Sequence, residues 1–341
     1  MITDTLTAQW TTEVDDAPVA VAVATGAGLV AIAGAAGTAW ILDAASGTPV
    51  GTVTLPGGLL ALEFSPDAAH LALAGPTGYG LWRRSDGRFL SSETGSWSAA
   101  VRWASPDRVA VACGRRVQVL DPDGVRQWGT DLAPSTVTDV AWLREGRRLA
   151  SSAYGGVRCH ERHSEKPVAE YKYLGSHLAI ALNPNGRWIC TGNQDASIHI
   201  WRTRDGDELA MQGYPDKIAR LAFDGSGRWL ASDGAPDITV WDFSGKGPAG
   251  TKPRALRAHE TVTALAWRPG NGAVLASAGA ENKVALWRAD AGRAGALLRP
   301  VHERELPEPV TALAWAGPDV LVVADYEGRV EAWPVPDNLA R

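Results

Sequence analysis

The sequence lacks several features on which common classes of protein depend. It has only four phenylalanines and three cysteines, and no apolar run reaches the roughly 18 residues that a membrane-spanning helix requires. Lysine and arginine together number 33 against 38 aspartates and glutamates, which gives a formal net charge of −5. Because nucleic acids and anionic membranes attract clustered positive charge, we expect no nucleic-acid partner and no membrane partner.

The cysteines and the first residues predict the cellular compartment. Cys113, Cys159 and Cys190 are odd in number and far apart, which predicts buried, reduced thiols rather than a disulfide framework. The opening Met-Ile-Thr-Asp has neither the basic nor the apolar region of a secretory signal. We therefore predict a cytoplasmic protein. Abundant arginine, alanine and glycine favour a GC-rich bacterial genome, which is an argument from codon usage alone.

What the chain does have is 15 tryptophans and a repeated phrase. The segment ETVTALAWRPGNGAVLASAGAENKVALW ends at Trp287, and EPVTALAWAGPDVLVVADYEGRVEAW ends at Trp333. The same succession of three apolar runs separated by turns occurs eight times, with a period of about forty residues that is typical of repeated units made of strands. The third runs end at Leu42, Trp82, Leu120, His160, Trp201, Trp241, Trp287 and Trp333.

Alternation and turn residues place the strands of one unit. Val262–Trp267, Val274–Ala278 and Val284–Trp287 are predicted as its first three strands, and Ala296–Val301 as an outer fourth strand whose edge position tolerates Pro300. A small residue often precedes the end of the first strand, whereas the third usually ends on tryptophan. Sheets arranged radially crowd at the centre and diverge outside, which explains this taper. The small residues are Ala22, Ala141, Ala181, Ala222, Ala266 and Ala314.

These features resemble the WD-repeat β-propeller family, whose blades are four-stranded sheets of roughly 40 to 45 residues with Trp-Asp at the end of the third strand. Trp241-Asp242 carries that dipeptide, while Leu42-Asp43 and Leu120-Asp121 keep the aspartate. The resemblance covers nearly the whole chain. It implies an all-β fold, an eight-bladed propeller of antiparallel blades forming a single domain over residues 1–341. Seven blades is the alternative.

The ends of the chain predict how the ring closes. Only Pro334 to Arg341 follow the last unit, which leaves no room for its fourth strand. The alternating segment Leu6–Val14 precedes the first unit and belongs to none. We therefore expect this N-terminal segment to supply the outer strand of the final blade.

The resemblance also implies a buried hydrogen-bonded set in some blades. In the family, a histidine before the first strand, a serine or threonine on the second, an aspartate in the next turn and the third-strand tryptophan bond to one another. The fifth unit offers Thr191, Asp195 and Trp201. The seventh offers His259, Ser277 and Trp287, with Glu281 where aspartate is usual, and most other units lack the set.

Charged residues on the predicted inner strands are candidates for a central channel. Glu63 and Arg102 occupy the small-residue position in the second and third units, and Asp139 and Arg220 lie two positions earlier in the fourth and sixth. Buried charges are costly unless they are paired or hydrated. They predict either a wet channel that holds a small ligand or ion, or ion pairs and ordered water between blades.

One predicted face gathers the residue types that dominate binding interfaces. In this family, the loops entering the first strand and the turns between second and third strands often bind partners. Those loops here hold Trp97, Arg115, Arg116, Tyr154, Gln194, Lys217 and Tyr326. We expect this face to bind a protein or peptide, and the protein to be a monomer.

Motifs for chemistry are weak. Cys159-His-Glu-Arg-His163 resembles a metal cluster, but no second cluster accompanies it and its histidines lie three apart on a predicted strand end. We interpret His160 as a substitute for the third-strand tryptophan and His163 as a solvated turn residue. Asp121-Pro-Asp123-Gly124 lacks the later ligands of a calcium loop and reads as a turn. We expect no metal and no cofactor.

Arginines gather in turns of the opposite face, and Asp67, Asp86, Asp107, Asp205 and Asp224 fall in equivalent turns, so the mixed charge predicts a solvated rim rather than a nucleic-acid patch. The arginines are Arg83, Arg84, Arg108, Arg144, Arg147, Arg148, Arg187 and Arg228.

Two functions remain open. The first is a non-catalytic scaffold that binds a protein or peptide on one propeller face. The alternative is an enzyme or small-ligand-binding protein with a site at the channel mouth.

Overall fold

The computed structural model describes residues 6–143, 145–234, 236–270 and 273–335, which form eight sheets, each built on four antiparallel strands and arranged as the blades of a propeller. Each blade has an inner, a second, a third and an outer strand. The inner strands of blades 1 to 8 are β2 (Pro18–Ala24), β6 (Ala61–Phe64), β10 (Val101–Ser105), β14 (Asp139–Leu143), β18 (His177–Leu182), β22 (Leu221–Phe223), β26 (Val262–Trp267) and β31 (Val310–Trp315).

The second and third strands follow in the same blade order. The second strands are β3 (Leu29–Gly34), β7 (His70–Ala74), β11 (Arg108–Cys113), β15 (Arg148–Ala153), β19 (Trp188–Asn193), β23 (Trp229–Ser232), β27 (Val274–Gly279) and β32 (Val320–Asp325). The third strands are β4 (Thr38–Asp43), β8 (Gly78–Arg83), β12 (Arg116–Leu120), β16 (Gly156–Glu161), β20 (Ile198–Arg202), β24 (Asp237–Asp242), β28 (Lys283–Arg288) and β33 (Arg329–Pro334).

The outer strands complete the blades. They are β5 (Pro49–Thr54), β9 (Phe89–Glu93), β13 (Arg126–Gly129), β17 (Ala169–Lys172), β21 (Glu208–Met211), β25 (Arg254–Arg257), β30 (His302–Glu305) and, for blade 8, β1 (Trp10–Glu13). A two-residue strand, β29 (Leu297–Leu298), is added to blade 6. A short 3₁₀ turn, Thr25–Ala27, joins the first two strands of blade 1. The eight-bladed all-β fold expected from the repeats is confirmed.

The radial taper places side chains as expected. The predicted small residues all lie on inner strands, where neighbouring blades approach most closely. At the ends of third strands, Trp287 and Trp333 are completely buried between blades. A buried tryptophan removes up to about 250 Å² from water. Packing between blades is therefore a main source of stability in this ring.

Four inner-strand tryptophans also bond to the preceding blade. Each lies immediately after the small-residue position and donates its indole N–H to the main-chain carbonyl at that position one blade earlier. These bonds tie blades 2 to 4 together, and separately blades 6 to 8. They run from Trp103 to Glu63 (3.0 Å), Trp142 to Arg102 (2.9 Å), Trp267 to Ala222 (2.8 Å) and Trp315 to Ala266 (3.0 Å).

The N-terminal strand closes the ring, as expected. β1 pairs antiparallel with β33, with Trp10 opposite Ala332 and Glu13 opposite Arg329. The Trp10 indole donates to the Ala44 carbonyl of blade 1 at 2.9 Å. One strand from the beginning of the chain thus joins the last blade to the first.

The expected outer strand of blade 7 was wrong. The predicted segment Ala296–Val301 contributes only β29, which pairs in parallel with β25 of blade 6. The outer strand of blade 7 is β30, and Pro300 lies in the connection between β29 and β30. The physical reason lies in Arg254, which donates to the carbonyls of Ala291 and Gly292 at 3.1 Å and holds the long connection against blade 6.

Candidate functional site

The two kinds of connection named in the sequence analysis lie on one face of the ring, called here the loop face. In an antiparallel blade, the turn between second and third strands lies at the same end as the loop leading to the next blade. All seven predicted partner-binding residues are exposed in or directly beside these connections. Trp97 and Lys217 lie in loops between blades, Arg115, Tyr154, Gln194 and Tyr326 lie in turns, and Arg116 begins β12.

Turn geometry fixes Tyr154 at the surface. Gly155 and Gly156 both have positive φ, at 91° and 132°, a conformation that glycine adopts without a steric penalty. A Cβ atom at Gly156 would lie 2.0 Å from the Tyr171 carbonyl oxygen. The chain therefore reverses tightly here and leaves the tyrosine ring on the outside of the turn.

Hydrogen bonds connect the loops from Trp97 to Gln194 in an unbroken series. Each turn of blades 3, 4 and 5 is tied to a neighbouring inter-blade loop, so this part of the face is a continuous surface. We call it the arc. The bonds run from Gly114 N to Trp97 O (2.7 Å), Ala133 N to Arg115 O (2.7 Å), Tyr154 N to Ser135 Oγ (2.9 Å), Gly155 N to Gly175 O (2.9 Å) and Gln194 N to Ser176 O (3.0 Å).

Two further apolar side chains lie on the arc and were missed by the sequence analysis. Leu132 and Leu174 are 51% and 77% exposed, in loops on either side of Tyr154. A cavity of about 260 Å³ opens beside Tyr154, lined also by Pro134 and Tyr171. Neither leucine can be recognised as a surface residue from the sequence, because apolar residues are frequent throughout it. Only their exposure in the structure distinguishes them from core residues.

Three of the four predicted channel residues are adjacent. The Arg102 guanidinium lies 3.4 Å from the Asp139 carboxylate, and Glu63 accepts the Trp103 main-chain N–H at 3.2 Å. Burial raises the pKa of the Glu63 carboxyl to about 7, although the positive charge of Arg102 opposes the rise. This set joins blades 2, 3 and 4 at the channel wall.

The fourth channel residue, Arg220, lies apart from that set. It pairs with Asp233 at 3.3 Å, and the Asp233 carboxylate also accepts the main-chain N–H groups of Ala219 and Arg220 at 3.0 Å. Burial raises the pKa of Asp233 despite these donors. Arg102, Asp139 and Arg220 border a central cavity of about 430 Å³. Sequence reasoning missed Asp233, which lies one residue beyond a buried strand.

Blade 7 contains a hydrogen-bonded relay. His259 Nε2 lies 2.7 Å from Ser277 Oγ, which accepts the Trp287 indole N–H at 2.8 Å. His259 Nδ1 lies 2.5 Å from Glu281. All four side chains are therefore joined, with glutamate in place of aspartate.

Blade 5 joins different residues. Thr191 lies 2.9 Å from Nδ1 of His177, a residue that the sequence analysis did not include. Asp195 accepts from the hydroxyls of Tyr173 (2.5 Å) and Ser197 (2.6 Å), and the ring of Trp201 lies 6.0 Å from that of His177. Asp195, the expected aspartate, thus bonds to Tyr173 and Ser197 rather than to the histidine of this blade.

Two other blades hold their tryptophans with residues that the family pattern does not predict. Trp241 donates to the Tyr214 hydroxyl at 2.9 Å. Trp333 donates to Glu331 at 2.6 Å, and Arg304 and Arg329 pair with the same carboxylate at 2.9 and 2.7 Å. The indole N–H is satisfied in each case by whichever acceptor the neighbouring strands supply.

The stretch Cys159–His163, which resembles a metal cluster in sequence, forms the end of β16 and the turn that follows it. His160 is completely buried on β16, and His163 lies in a turn with a φ of 63°. Within the ranges that the structure describes, no group of three histidine, cysteine, aspartate or glutamate side chains is placed to hold a metal. Asp121 accepts the main-chain N–H of Val125 at 2.8 Å and closes a turn.

The predicted arginine rim is only partly a solvated surface. Arg83 and Arg228 pair with Asp86 and Asp242 at 2.7 and 2.8 Å. Arg108 is buried and donates to the Gly146 carbonyl at 2.9 Å, so its placement in a solvated rim was wrong. Arg144 lies outside the described residues. No helix among the described residues is long and apolar enough to span a membrane.

Comparison with known proteins identifies a related family in two stretches. Residues 169–202 and 250–288 match the family described as WD domain, G-beta repeat. They contain the second and third strands of blades 5 and 7, the blades that hold the His177–Thr191 pair and the His259 relay.

Curated relatives are distant. The chain is 27% identical over 202 residues to the nuclear distribution protein nudF of Aspergillus niger, covering 53% of this chain and 44% of that protein. It is 25% identical over 223 residues to the WD repeat-containing protein slp1 of Schizosaccharomyces pombe, covering 63% and 43%. The matches thus span less than half the length of these relatives.

A solved structure shares the whole fold. The crystal structure of the computationally designed Ika8 protein aligns with a TM-score of 0.79 at 19% identity, over 96% of this chain and 99% of that one. At this identity the likeness shows the fold alone.

Proposed function

We propose that this chain is a divergent WD-repeat protein that acts as a non-catalytic scaffold and binds a protein or peptide on its loop face. The observation that carries the proposal is the exposure of Trp97, Tyr154 and Tyr326 on that one face, at 56%, 47% and 57%. Tryptophan and tyrosine dominate interface hot spots, and a folded domain gains nothing in stability by leaving such rings in water.

The similarity to WD-repeat proteins supports the same role, since two blades match that family. The charged groups at the channel point to structure rather than catalysis, because Arg102, Asp139 and Arg220 are paired. The cytoplasmic location, the bacterial origin and the monomeric state stay predictions.

A capture experiment tests the proposal. Tagged protein is incubated with lysate from the source organism, and bound proteins are compared among the wild type, Trp97→Ala, Tyr326→Ala and a control, Val125→Ala. Val125 is 62% exposed in the turn between β12 and β13, on the opposite face. We expect a protein that is retained by the wild type and the control and lost from a loop-face variant. Capture that no loop-face substitution alters would refute the proposal.

The central channel favours one second candidate, a receptor for a small ligand. Its volume of about 430 Å³ lies within the roughly 300–1,000 Å³ of ligand pockets, and the Arg220 side chain is 44% exposed beside it. Native mass spectrometry of the purified protein tests this candidate. A bound mass that disappears in Arg220→Ala supports it, whereas an unmodified chain mass in the wild type counts against it.

A further inference from the structure

The loop face is divided into two halves of different character. Among the described residues of its loops and turns, the exposed large apolar side chains of Trp97, Leu132, Tyr154 and Leu174 lie on the arc over blades 3 to 5, and that of Tyr326 lies in blade 8. The connections of the remaining blades carry mainly exposed or half-exposed acidic side chains, together with the exposed Lys217. The acidic residues are Asp15, Asp216, Glu260, Glu308 and Glu327.

Positive charge on the arc is unneutralised. Arg115 and Arg116 are exposed side by side, between the loop of Trp97 and the loop of Leu132. Arg115 donates from Nε to the Ala133 carbonyl at 2.7 Å, which fixes its direction along the arc. Neither guanidinium forms an ion pair with any residue that the structure describes. Each therefore presents a planar fork of donors suited to a carboxylate.

The arc's carboxylates near these arginines are already engaged. Asp131 and Glu170 pair with Arg158 at 2.9 and 3.4 Å, and Asp195 accepts hydrogen bonds from Tyr173 and Ser197. Near Arg115 and Arg116 the unpaired charge is consequently positive, whereas acidic side chains outnumber Lys217 in the connections of the other half and disfavour an acidic segment there.

From these observations we propose that the arc binds an extended acidic peptide segment that carries large apolar side chains. Carboxylates of the segment pair with Arg115 and Arg116, and its apolar side chains cover Trp97 and the surface around Tyr154. The proposal rests on the scaffold function above and specifies the chemistry of the partner.

The size of the cavity beside Tyr154 agrees with a side chain as its occupant. Its volume of about 260 Å³ is below the roughly 300–1,000 Å³ of pockets for drug-sized ligands. Ser135 and Gly175 hold the tyrosine turn from both sides. The apolar anchor therefore enters a preformed site, which reduces the entropy cost of binding.

A displayed library of random twelve-residue peptides tests the proposal while the natural partner is unidentified. The library is selected on the full wild-type chain, and one recovered peptide is labelled and titrated against variants. We expect recovered sequences to be rich in Asp and Glu together with Trp, Phe or Leu. Affinity should fall by roughly tenfold or more in the double variant Arg115→Glu, Arg116→Glu and in Trp97→Ala.

Matched controls isolate the two contributions. The double variant Arg115→Lys, Arg116→Lys keeps the charge and should lose much less affinity than the glutamate variant, while Tyr326→Ala on the acidic half should bind like the wild type. Affinity for the labelled peptide should also fall as salt is added. Thermal melting of each variant establishes that it remains folded.

Three results would overturn the proposal: a selection that yields no binder, peptides without acidic residues, and binding that the glutamate variant leaves unchanged. A labelled oligothymidylate that binds as tightly as the peptide would overturn it too, because the arginines would then be a general anion site. In the capture experiment, a partner lost from Tyr326→Ala but kept by the arc variants would refute this inference and leave the scaffold function standing.

Discussion

Blades 7 and 4 both carry a serine at the same position of the repeat, but the serine has different hydrogen-bond partners in the two blades. Ser277 in blade 7 lies opposite Ala285, and Ser151 in blade 4 lies opposite Arg158, in each case two residues before the bulky residue that ends the third apolar run. In blade 7 that end residue is Trp287, and the serine joins it to His259. In blade 4 it is His160, and among the described residues the Ser151 hydroxyl makes one long contact, 3.5 Å to the Arg158 carbonyl.

The histidine of blade 4 is poorly satisfied by comparison. His160 is completely buried, and neither ring nitrogen has a hydrogen-bond partner among the described residues. Its Nε2 atom lies 3.5 Å from the Asp131 carboxylate, which is long for a hydrogen bond. Within blade 7 the His259, Ser277 and Trp287 side chains thus satisfy one another, whereas in blade 4 His160 and Arg158 lie against Asp131, which follows the outer strand of blade 3. The blade with the weaker interior is also the one whose turn carries the exposed Tyr154.

The largest effect should come from removing the tryptophan of blade 7. Trp287→Ala leaves a cavity between blades and removes the indole N–H that the Ser277 hydroxyl accepts, so we expect a loss of about 3–5 kcal/mol in the free energy of unfolding. Urea denaturation followed by circular dichroism measures it. Trp97→Ala, which removes an exposed ring, is the control and should stay within about 0.5 kcal/mol of the wild type. Similar losses in both variants would contradict the assignment of Trp287 to the packing between blades and of Trp97 to the surface.

The paired serines test the comparison directly. Ser277→Ala removes the shared partner of His259 and Trp287, and an unsatisfied buried group costs about 1–3 kcal/mol. We expect about 2–3 kcal/mol for Ser277→Ala and less than about 1 kcal/mol for Ser151→Ala. Equal losses in urea denaturation would show that the relay in blade 7 adds no stability.

Replacing the buried histidine of blade 4 should stabilise the protein. His160→Leu removes unsatisfied polar atoms, for which we expect a gain of about 1 kcal/mol at pH 7.5. Burial lowers the pKa of His160 although Asp131 opposes this effect, so the folded state binds fewer protons than the unfolded state below pH 6.5. Stability is therefore lost as the pH falls through that region.

The acid response separates that explanation from simple repacking. His160→Leu should lose less stability than the wild type between pH 7.5 and 5.5, measured by urea denaturation at each pH. Some loss should remain, because burial also lowers the pKa of His70, His177 and His259. A variant with the wild-type pH dependence would show that His160 does not contribute.

The smallest effect should come from the surface of blade 4. Tyr154→Ala and Leu174→Ala remove exposed side chains, so we expect changes within about 0.5 kcal/mol in the free energy of unfolding. A loss above about 1.5 kcal/mol in thermal or urea denaturation would mean that these side chains stabilise the loops and are not free to bind a partner.

Much of the fold could be predicted from the sequence because the period is long and marked by large residues. Trp201, Trp287 and Trp333 sit at regular intervals, and the alternation of β1 identified the strand that closes the ring. The fate of Leu297–Leu298 could not be predicted in the same way. Both that pair and His302–Glu305 suit an edge strand, and the choice depends on the capture of the connection by Arg254, a contact between blades.

Only some of the residues of the candidate site could be predicted from the sequence. Loop position alone indicated Trp97, Tyr154 and Tyr326, whereas Leu132 and Leu174 became visible only through their exposure. Similarly, the Tyr214 hydroxyl satisfies Trp241 from the connection that leads into blade 6. Hydrogen-bond partners that come from different parts of the chain produce no periodic pattern in the sequence.

The pairing of β1 with β33, which closes the ring, also has a consequence for biosynthesis. The first strand leaves the ribosome about 315 residues before its partner, which at roughly 5–20 residues per second is a delay of about 15 to 65 seconds. During that interval Trp10 and its neighbours have no sheet to join, while later blades can already stack on one another. The first strand of a nascent chain of this kind therefore stays unpaired until the last blade has been made, and the ring of blades cannot close before then.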